Sequence, residues 1–368
     1  MDAGENLNLV PQQQQQRKIE RKHPCGTCLA VALVLTTISC VPPAVKTVLS
    51  LHALRLPLTL ATAQVGGAAL LFWVVRFARC SWSQVRWRDA TPVGVVFGIK
   101  IALMNVGLAG SSTLAHVLFQ ATDVLWAAAF ARVICGEPIG SVAGFVALAG
   151  CFVGTTLFTV AHAARSRDPL SVVALAANLA APALQGLVIA LLRSGVVAAT
   201  LSTRKRRASW NVLVDFTATK LLSAALSAAA LAGLVEGRTS LRELRQWRDI
   251  PAPALTAILL ATLLVACVQF SFTFLSSVVS APTVGVVAAL KVVPQVALAS
   301  AIAARAGQDV SWRPTQIAGA TLLLFSAVLW AVRQFRKAPK RRTPSSFLLC
   351  AILFFFWWEM LAFLGSFR

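Results

Sequence analysis

Charged residues are scarce in this 368-residue chain, where they make up 13% against 57% hydrophobic residues. This balance excludes a soluble globular domain, because so apolar a chain would aggregate in water. Among the charged residues the acidic ones are the fewer, with 13 Asp and Glu against 34 Lys and Arg. In a soluble protein the net charge of +21 would suggest nucleic acid. Here the basic residues flank long apolar runs, which predicts an all-α polytopic membrane protein with the lipid bilayer as its partner and no nucleic-acid partner.

Motifs for catalysis and for metal or nucleotide chemistry are also lacking. The chain has no Gly-x-x-x-x-Gly-Lys-Ser/Thr loop and no His-Glu-x-x-His, and its four histidines are scattered. The lone pair Cys25 and Cys28 is more typical of packing or acylation than of redox or metal chemistry. We therefore expect no enzyme activity, no cofactor and no metal. A carrier, a channel and an intramembrane enzyme of another type stay open.

Ten apolar stretches are long enough to span a bilayer, and only helices and closed barrels satisfy their backbone in lipid. The predicted helices are Cys28–Ser50, Pro57–Ala78, Thr91–Gly110, Ser112–Cys135, Ile139–Ala163, Pro169–Leu192, Asn211–Val235, Pro251–Ser277, Ala281–Arg305 and Trp312–Phe335. They would form two five-helix repeats, 28–163 and 169–335, after a disordered cytosolic tail, 1–27. A basic cytosolic segment, 336–346, precedes a further hydrophobic segment, 347–367. That segment either spans as an extra helix or lies in the interface.

Basic residues between the spans predict the orientation. Nineteen lie on the side of the N-terminus, in clusters at 17–22, 76–88, 132, 204–207 and 333–342. Nine lie on the other side, at 55, 165–167, 238–248, 305 and 313. Since cytosolic loops carry the excess of Lys and Arg, both ends of the ten-helix bundle should be cytosolic.

Four lysines fall inside the predicted spans: Lys46, Lys100, Lys220 and Lys291. A charged side chain in hydrocarbon costs at least about 2.5 to 3.5 kcal/mol, so several of them indicate a polar cavity for an anion. We assign substrate binding to Lys291, Lys46 and Lys220. For Lys220 the alternative is a pair with Asp215. Lys100 is assigned a structural or gating role, with an ion pair to Asp123 and ligand contact as open alternatives.

A polar stripe in the fourth span supports the cavity. His116, Gln120 and Asp123 are spaced at i, i+4 and i+7, which places them on one helical face. We expect His116 and Gln120 to donate to hydroxyl groups of the substrate. Asp123, like Asp215, is assigned a structural or gating role. The alternative for the stripe is a seal between helices.

The two halves also echo each other. Phe130-Ala-Arg132 before Gly136-Glu137 parallels Ala303-Ala304-Arg305 before Gly307-Gln308, at an offset of about 173 residues. Five spans per half would give the halves opposite orientations. Such inverted repeats are typical of alternating-access carriers with a site near the midplane.

Several short motifs follow one another in a recognisable order. They are Lys46-Thr-Val-Leu49, Leu56-Pro-Leu-Thr-Leu-Ala-Thr-Ala-Gln64, Asn105-Val-Gly-Leu108, Gly136-Glu137-Pro138, Val235-Glu236-Gly237 and Val278-Val-Ser-Ala-Pro-Thr283 before Lys291. In this order the chain resembles the triose-phosphate translocator and nucleotide-sugar transporter group of the drug/metabolite transporter superfamily. The resemblance covers residues 28–337 and implies a ten-helix secondary carrier.

Departures from the family pattern narrow the substrate. Phosphate-exchanging members have a Lys where Gln120 stands and a Lys-Arg pair where this chain has Lys291-Val292. The resemblance therefore implies an antiporter of an organic anion, a nucleotide sugar exchanged for a nucleotide monophosphate. A sugar-phosphate/phosphate exchanger ranks second, and an intramembrane enzyme or a scaffold third. Without a transit-peptide composition in the tail, the Golgi or endoplasmic reticulum is expected before the plastid envelope. Both a monomer and a homodimer stay open.

Overall fold

The computed structural model describes residues 24–51, 56–78, 85–110, 116, 119–120, 122–137, 142–163, 172–202, 210–237, 252–292, 295, 298 and 314–336. The predictions for residues 1–23 and 337–368, including the segment 347–367, fall outside these residues, as do most residues of the connecting loops. The described residues form ten helices and no strands.

The helices follow the apolar runs of the sequence. They are α1 (Pro24–Leu51), α2 (Pro57–Ala78), α3 (Trp87–Ala109), α4 (Asp123–Cys135), α5 (Val142–Ala163), α6 (Val172–Ser202), α7 (Trp210–Val235), α8 (Ala252–Val278), α9 (Ala281–Leu290) and α10 (Pro314–Arg336). Six of them, α1, α2, α3, α6, α7 and α8, are long and apolar enough to cross a membrane. Shorter apolar helical segments lie in α5, α9 and α10. The prediction of an all-α, membrane-embedded protein is confirmed at this level.

The sixth helix is longer than predicted. We expected it to end at Leu192, before the charged Arg193, but α6 continues to Ser202. Arg193 is buried, and its guanidinium pairs with the carboxylate of Glu137 at 3.2 Å. Because the charge is neutralised inside the protein, it does not end the apolar helix.

The core forms where helices distant in sequence pack together. α3 packs against α6 and α7, α8 packs against α1 and α2, and α2–α7, α4–α9 and α5–α10 are also in contact. Glycine allows the closest of these approaches. A Cβ atom at Gly98 of α3 would lie 2.3 Å from the carbonyl oxygen of Ala224 in α7, closer than real Cβ atoms come. Small residues thus hold α3 against α7, as is common between membrane helices.

The loop charges lead to a topological prediction. A tag inserted in the loop at Ser202–Ser209 should face the cytosol, because its basic cluster resists translocation, and a tag at Arg238–Arg248 should face the lumen. Protease digestion of sealed microsomes measures this directly. Protection of the first tag together with digestion of the second would reverse the orientation.

Candidate functional site

Three of the four membrane lysines lie within electrostatic reach of one histidine. Lys46 is in α1, Lys100 is in α3 and Lys291 follows α9, and the charges of all three act on the His116 ring. The helices that carry them are far apart in sequence, so the cluster exists only in the packed bundle. We call Lys46, Lys100, His116, Asp123 and Lys291 the cation cluster.

The one carboxylate of the cluster is paired with Lys291. The Lys291 ammonium donates to Asp123 Oδ2 at 2.7 Å, and both side chains are almost fully buried. The other carboxylate oxygen, Oδ1, is buried and has no hydrogen-bond partner among the described residues. We had considered Lys100 as the partner of Asp123, but the structure pairs Asp123 with Lys291 and places Lys100 within electrostatic reach of both.

His116 is held between two amide side chains. Its Nδ1 lies 2.6 Å from Asn178 Oδ1 in α6, and its Nε2 lies 2.6 Å from Gln120 Nε2. An amide NH2 group only donates and an amide oxygen only accepts. The two hydrogen bonds therefore require a neutral His116 ring with its proton on Nδ1. His116 and Gln120 therefore lie together as predicted from their spacing, but both ring nitrogens already have protein partners.

α3 contributes its backbone to the same place. The Lys46 ammonium donates to the carbonyl oxygen of Leu108 at 2.9 Å. At the preceding residue, a Cβ on Gly107 would lie 2.2 Å from Asn178 Oδ1. Glycine at this position lets α6 bring Asn178 close enough to hold the histidine.

Lys220 and Asp215 lie in other environments. The Lys220 ammonium is fully buried and donates to Gln269 Oε1 at 3.0 Å, to Thr273 Oγ1 at 3.0 Å and to the Gln269 carbonyl oxygen at 3.3 Å. Asp215 pairs with Arg76 of α2 at 3.4 Å. The Arg76 guanidinium also lies over the Trp73 ring, 4.4 Å from its centroid. The structure thus joins Lys220 to α8 and Asp215 to α2, and the alternative pair between the two is not formed.

Glu137 stabilises a helix start in the other half of the chain. Its Oε2 accepts from the backbone N–H of Ala281, the first residue of α9, at 2.8 Å. Its Oε1 accepts from Arg193, whose Nη1 donates to the Ser276 carbonyl oxygen at 2.6 Å. A carboxylate suits a helix N-terminus, where free N–H groups and the positive end of the dipole meet it.

Glu236 does the same at the start of α2. Its two carboxylate oxygens accept from the backbone N–H groups of Leu58 at 2.9 Å and Thr59 at 2.8 Å. The Thr59 hydroxyl adds a third bond at 2.7 Å. Each of these two glutamates therefore ties the end of one helix to the start of a helix more than a hundred residues away.

Sequence reasoning did not select Asn178, Arg193, Glu137 or Glu236 as site residues. The two glutamates did belong to the motifs that carry the family resemblance. Four of those motifs contact one another in pairs, Glu137 with Ala281 and Glu236 with Leu58 and Thr59. An acid directly after an apolar span was the available signal. Asn178 carries no such signal, because one amide in an apolar helix is common.

The cation cluster can bind an anion. With a neutral His116, its charges are Lys46, Lys100 and Lys291 against Asp123, an excess of two positive charges. Among the described residues no group of three or more His, Cys, Asp or Glu side chains could hold a metal ion. Buried cations with polar, uncharged neighbours are suited to phosphate or carboxylate groups.

Comparison with known proteins finds a similar fold among solved structures. No protein-family model and no curated protein matches the chain. A solved structure described as "Crystal structure of protein" matches with a TM-score of 0.56 and 13% identity, over 83% of this chain and 98% of that one. At this identity the likeness is one of fold alone.

Proposed function

We propose that the chain is a secondary carrier of the drug/metabolite transporter superfamily that exchanges organic anions, with ten spans in two inverted five-helix repeats. The observation that carries the proposal is the cation cluster, in which Lys46, Lys100 and Lys291 lie within electrostatic reach of His116. α1, α3 and the α4 region come from one half of the chain, and Lys291 and Asn178 come from the other. A site between two repeats is typical of alternating-access carriers.

The helix packing supports the repeat. If α1–α5 correspond to α6–α10, the contacts of α3 with α6 and α7 correspond to those of α8 with α1 and α2. The contacts α2–α7, α4–α9 and α5–α10 each join a helix to its own counterpart, whereas α4 contacts α6 more extensively than the described part of α9 contacts α1. Apart from the α4–α6 contact, these contacts follow the pattern that a two-fold axis in the membrane plane produces.

The charge of the cluster favours a dianion and favours exchange. An excess of two positive charges among the described members of the cluster is unfavourable in a low-dielectric bundle, whereas a bound dianion balances it. The loaded carrier should therefore change conformation much faster than the empty one. A carrier that returns only when loaded is an antiporter.

The interhelix contacts suggest which helices move. In the ten-span topology, Arg76–Asp215 and the bonds of Glu236 join α2 to α7 at opposite membrane faces, so this pair is clamped at both ends. Asp123–Lys291 joins the start of α4 to the residue after α9, and Glu137–Ala281 joins the two helices at the cytosolic end. α2 and α7 then form the part of the carrier that stays fixed during transport. The contact of Glu137 with α9 closes the cytosolic path to the cation cluster.

Within this class we propose a nucleotide sugar as substrate and a nucleotide monophosphate as its exchange partner, in the Golgi or endoplasmic reticulum membrane. Gln120 is bonded to His116, and Val292 is buried beside Lys291, where phosphate exchangers have cations. A compact phosphate ion needs several charge-assisted bonds at short range. A nucleotide adds contact area through its base and ribose, so it depends less on the missing cations.

Counter-exchange in liposomes tests the substrate class. We expect liposomes loaded with nucleotide monophosphate to drive uptake of a labelled nucleotide sugar, and liposomes loaded with phosphate to drive little. Equal uptake of a triose or pentose phosphate into phosphate-loaded liposomes would replace this assignment by the sugar-phosphate exchanger. If no anion is taken up under any loading, the carrier proposal itself is wrong.

A further inference from the structure

The four membrane lysines differ in how well their ammonium groups are satisfied. Lys220 donates to three acceptors, Lys291 to a carboxylate and Lys46 to a backbone carbonyl oxygen. Lys100 makes no hydrogen bond or ion pair with any residue that the structure describes. An ammonium has three N–H donors, and leaving them without acceptors inside a protein is strongly unfavourable.

Lys100 lies within electrostatic reach of two other residues of the cation cluster, Lys291 and Asp123. Its side chain is half-buried and close enough to Lys291 and Asp123 to feel both charges. On α3 it precedes Gly107 by seven residues and Leu108 by eight, so it shares the helix face that contacts Asn178 and Lys46. The distance along the helix axis is about 10 to 12 Å, within the combined reach of two lysine side chains.

Lys291 is less available for direct contact. It is almost fully buried and already donates to Asp123. Its other two N–H donors lie in the same buried environment, and a ligand that drew the ammonium towards itself would weaken the only ion pair that Asp123 makes among the described residues. Lys100 can bind an anionic group without breaking any bond that the described residues make.

We infer that the Lys100 ammonium makes the direct charge-assisted contact with the phosphate group of the substrate, and that Lys291 acts as a positioning residue held by Asp123. The inference rests on the proposed anion-carrier function and deepens it. It replaces the structural or gating role that the sequence suggested for Lys100. In this arrangement the ligand supplies the hydrogen-bond acceptors of the Lys100 ammonium, because no described side chain does.

Two opposite effects of Lys100→Met distinguish a ligand contact from a structural lysine. Methionine keeps the length of the side chain and removes an ammonium without described acceptors, so the melting temperature of the ligand-free protein should rise. The dissociation constants for UMP, CMP and GMP should increase about 10- to 100-fold, since one charge-assisted bond is lost. The affinity for the corresponding nucleosides, which lack phosphate, should stay unchanged.

The experiment measures binding and thermal unfolding of purified full-length protein in detergent. Lys100→Arg keeps the charge and should bind the nucleotides within a few-fold of the wild type. Arg88→Gln removes an exposed charge from the same helix and should change neither affinity nor melting temperature. If Lys100→Met cannot be purified, Lys100→Gln, which keeps a polar group, should show the same loss of nucleotide affinity.

The results separate this inference from the carrier proposal. If the wild type binds nucleotides and Lys100→Met or Lys100→Gln binds them equally well, Lys100 is not the contact and the carrier proposal stands. A fall in melting temperature in Lys100→Met, with nucleosides and nucleotides weakened alike, would make Lys100 structural. If the wild type binds none of the nucleotides, nucleoside diphosphate sugars or inorganic phosphate, both proposals fail.

Discussion

Replacing Lys291 by glutamine should lower exchange by about 10- to 100-fold and destabilise the protein by about 3 to 5 kcal/mol. The destabilisation follows because Asp123 would keep its buried charge and lose the ammonium that lies 2.7 Å away. Exchange falls because the excess charge of the cation cluster drops from two to one. Thermal unfolding in detergent and counter-exchange per inserted molecule measure the two effects separately.

A double variant supplies the control for this prediction. Lys291→Met with Asp123→Leu removes one charge of each sign, so the cluster keeps its excess of two positive charges. Replacing a whole buried ion pair by apolar residues is often neutral or stabilising. We expect the double variant to regain stability and most of the nucleotide affinity. Recovery of stability without recovery of binding would instead make Lys291 a direct ligand contact.

Glu137→Ala should open the cytosolic end of the bundle. The substitution removes the bond to the Ala281 N–H and leaves Arg193 buried without its carboxylate. A charge-assisted hydrogen bond contributes about 1.5 to 3 kcal/mol, so the open population should rise about 10- to 100-fold. The reporter is Ser280→Cys, beside the contact, in a background without the eight native cysteines. Its labelling by a membrane-impermeant thiol reagent should accelerate by a similar factor.

Glu236→Ala is the matched control. It removes three hydrogen bonds at the start of α2 and should lower the melting temperature at least as much as Glu137→Ala does. It should leave the labelling of residue 280 unchanged, because it weakens the α2–α7 clamp at the opposite membrane face. Equal acceleration of labelling in both variants would mean that the effect reports general loosening and not a cytosolic gate.

Helix positions were the most predictable part of the structure. The predicted second span, Pro57–Ala78, agrees with α2 at both ends, and α7 differs from its prediction by one residue. Runs of apolar residues are a local property, and in a membrane they require a helix whatever lies beside them. α6 was mispredicted at its end for the opposite reason, because the partner that neutralises Arg193 comes from a distant segment.

Local spacing also predicted that His116 and Gln120 lie together. The interval of His116 and Gln120 places them on one face, and they are hydrogen-bonded to each other. Helical periodicity determines which residues share a face, but it leaves undetermined which neighbouring helix that face meets. For this reason Asn178, the other partner of His116, had no signal in the sequence.

Composition and periodicity by themselves determined that this chain is an all-α membrane protein with cations in its apolar helices, because the bilayer constrains every segment separately. The tertiary structure alone decided which neighbours each of those cations has. It satisfied Lys220 with neutral acceptors from α8, paired Lys291 with Asp123, and left Lys100 without a described partner beside them. The physical reason is that the state of a buried charge depends on acceptors brought within about 3 Å by the rotation and packing of distant helices, which no local pattern encodes.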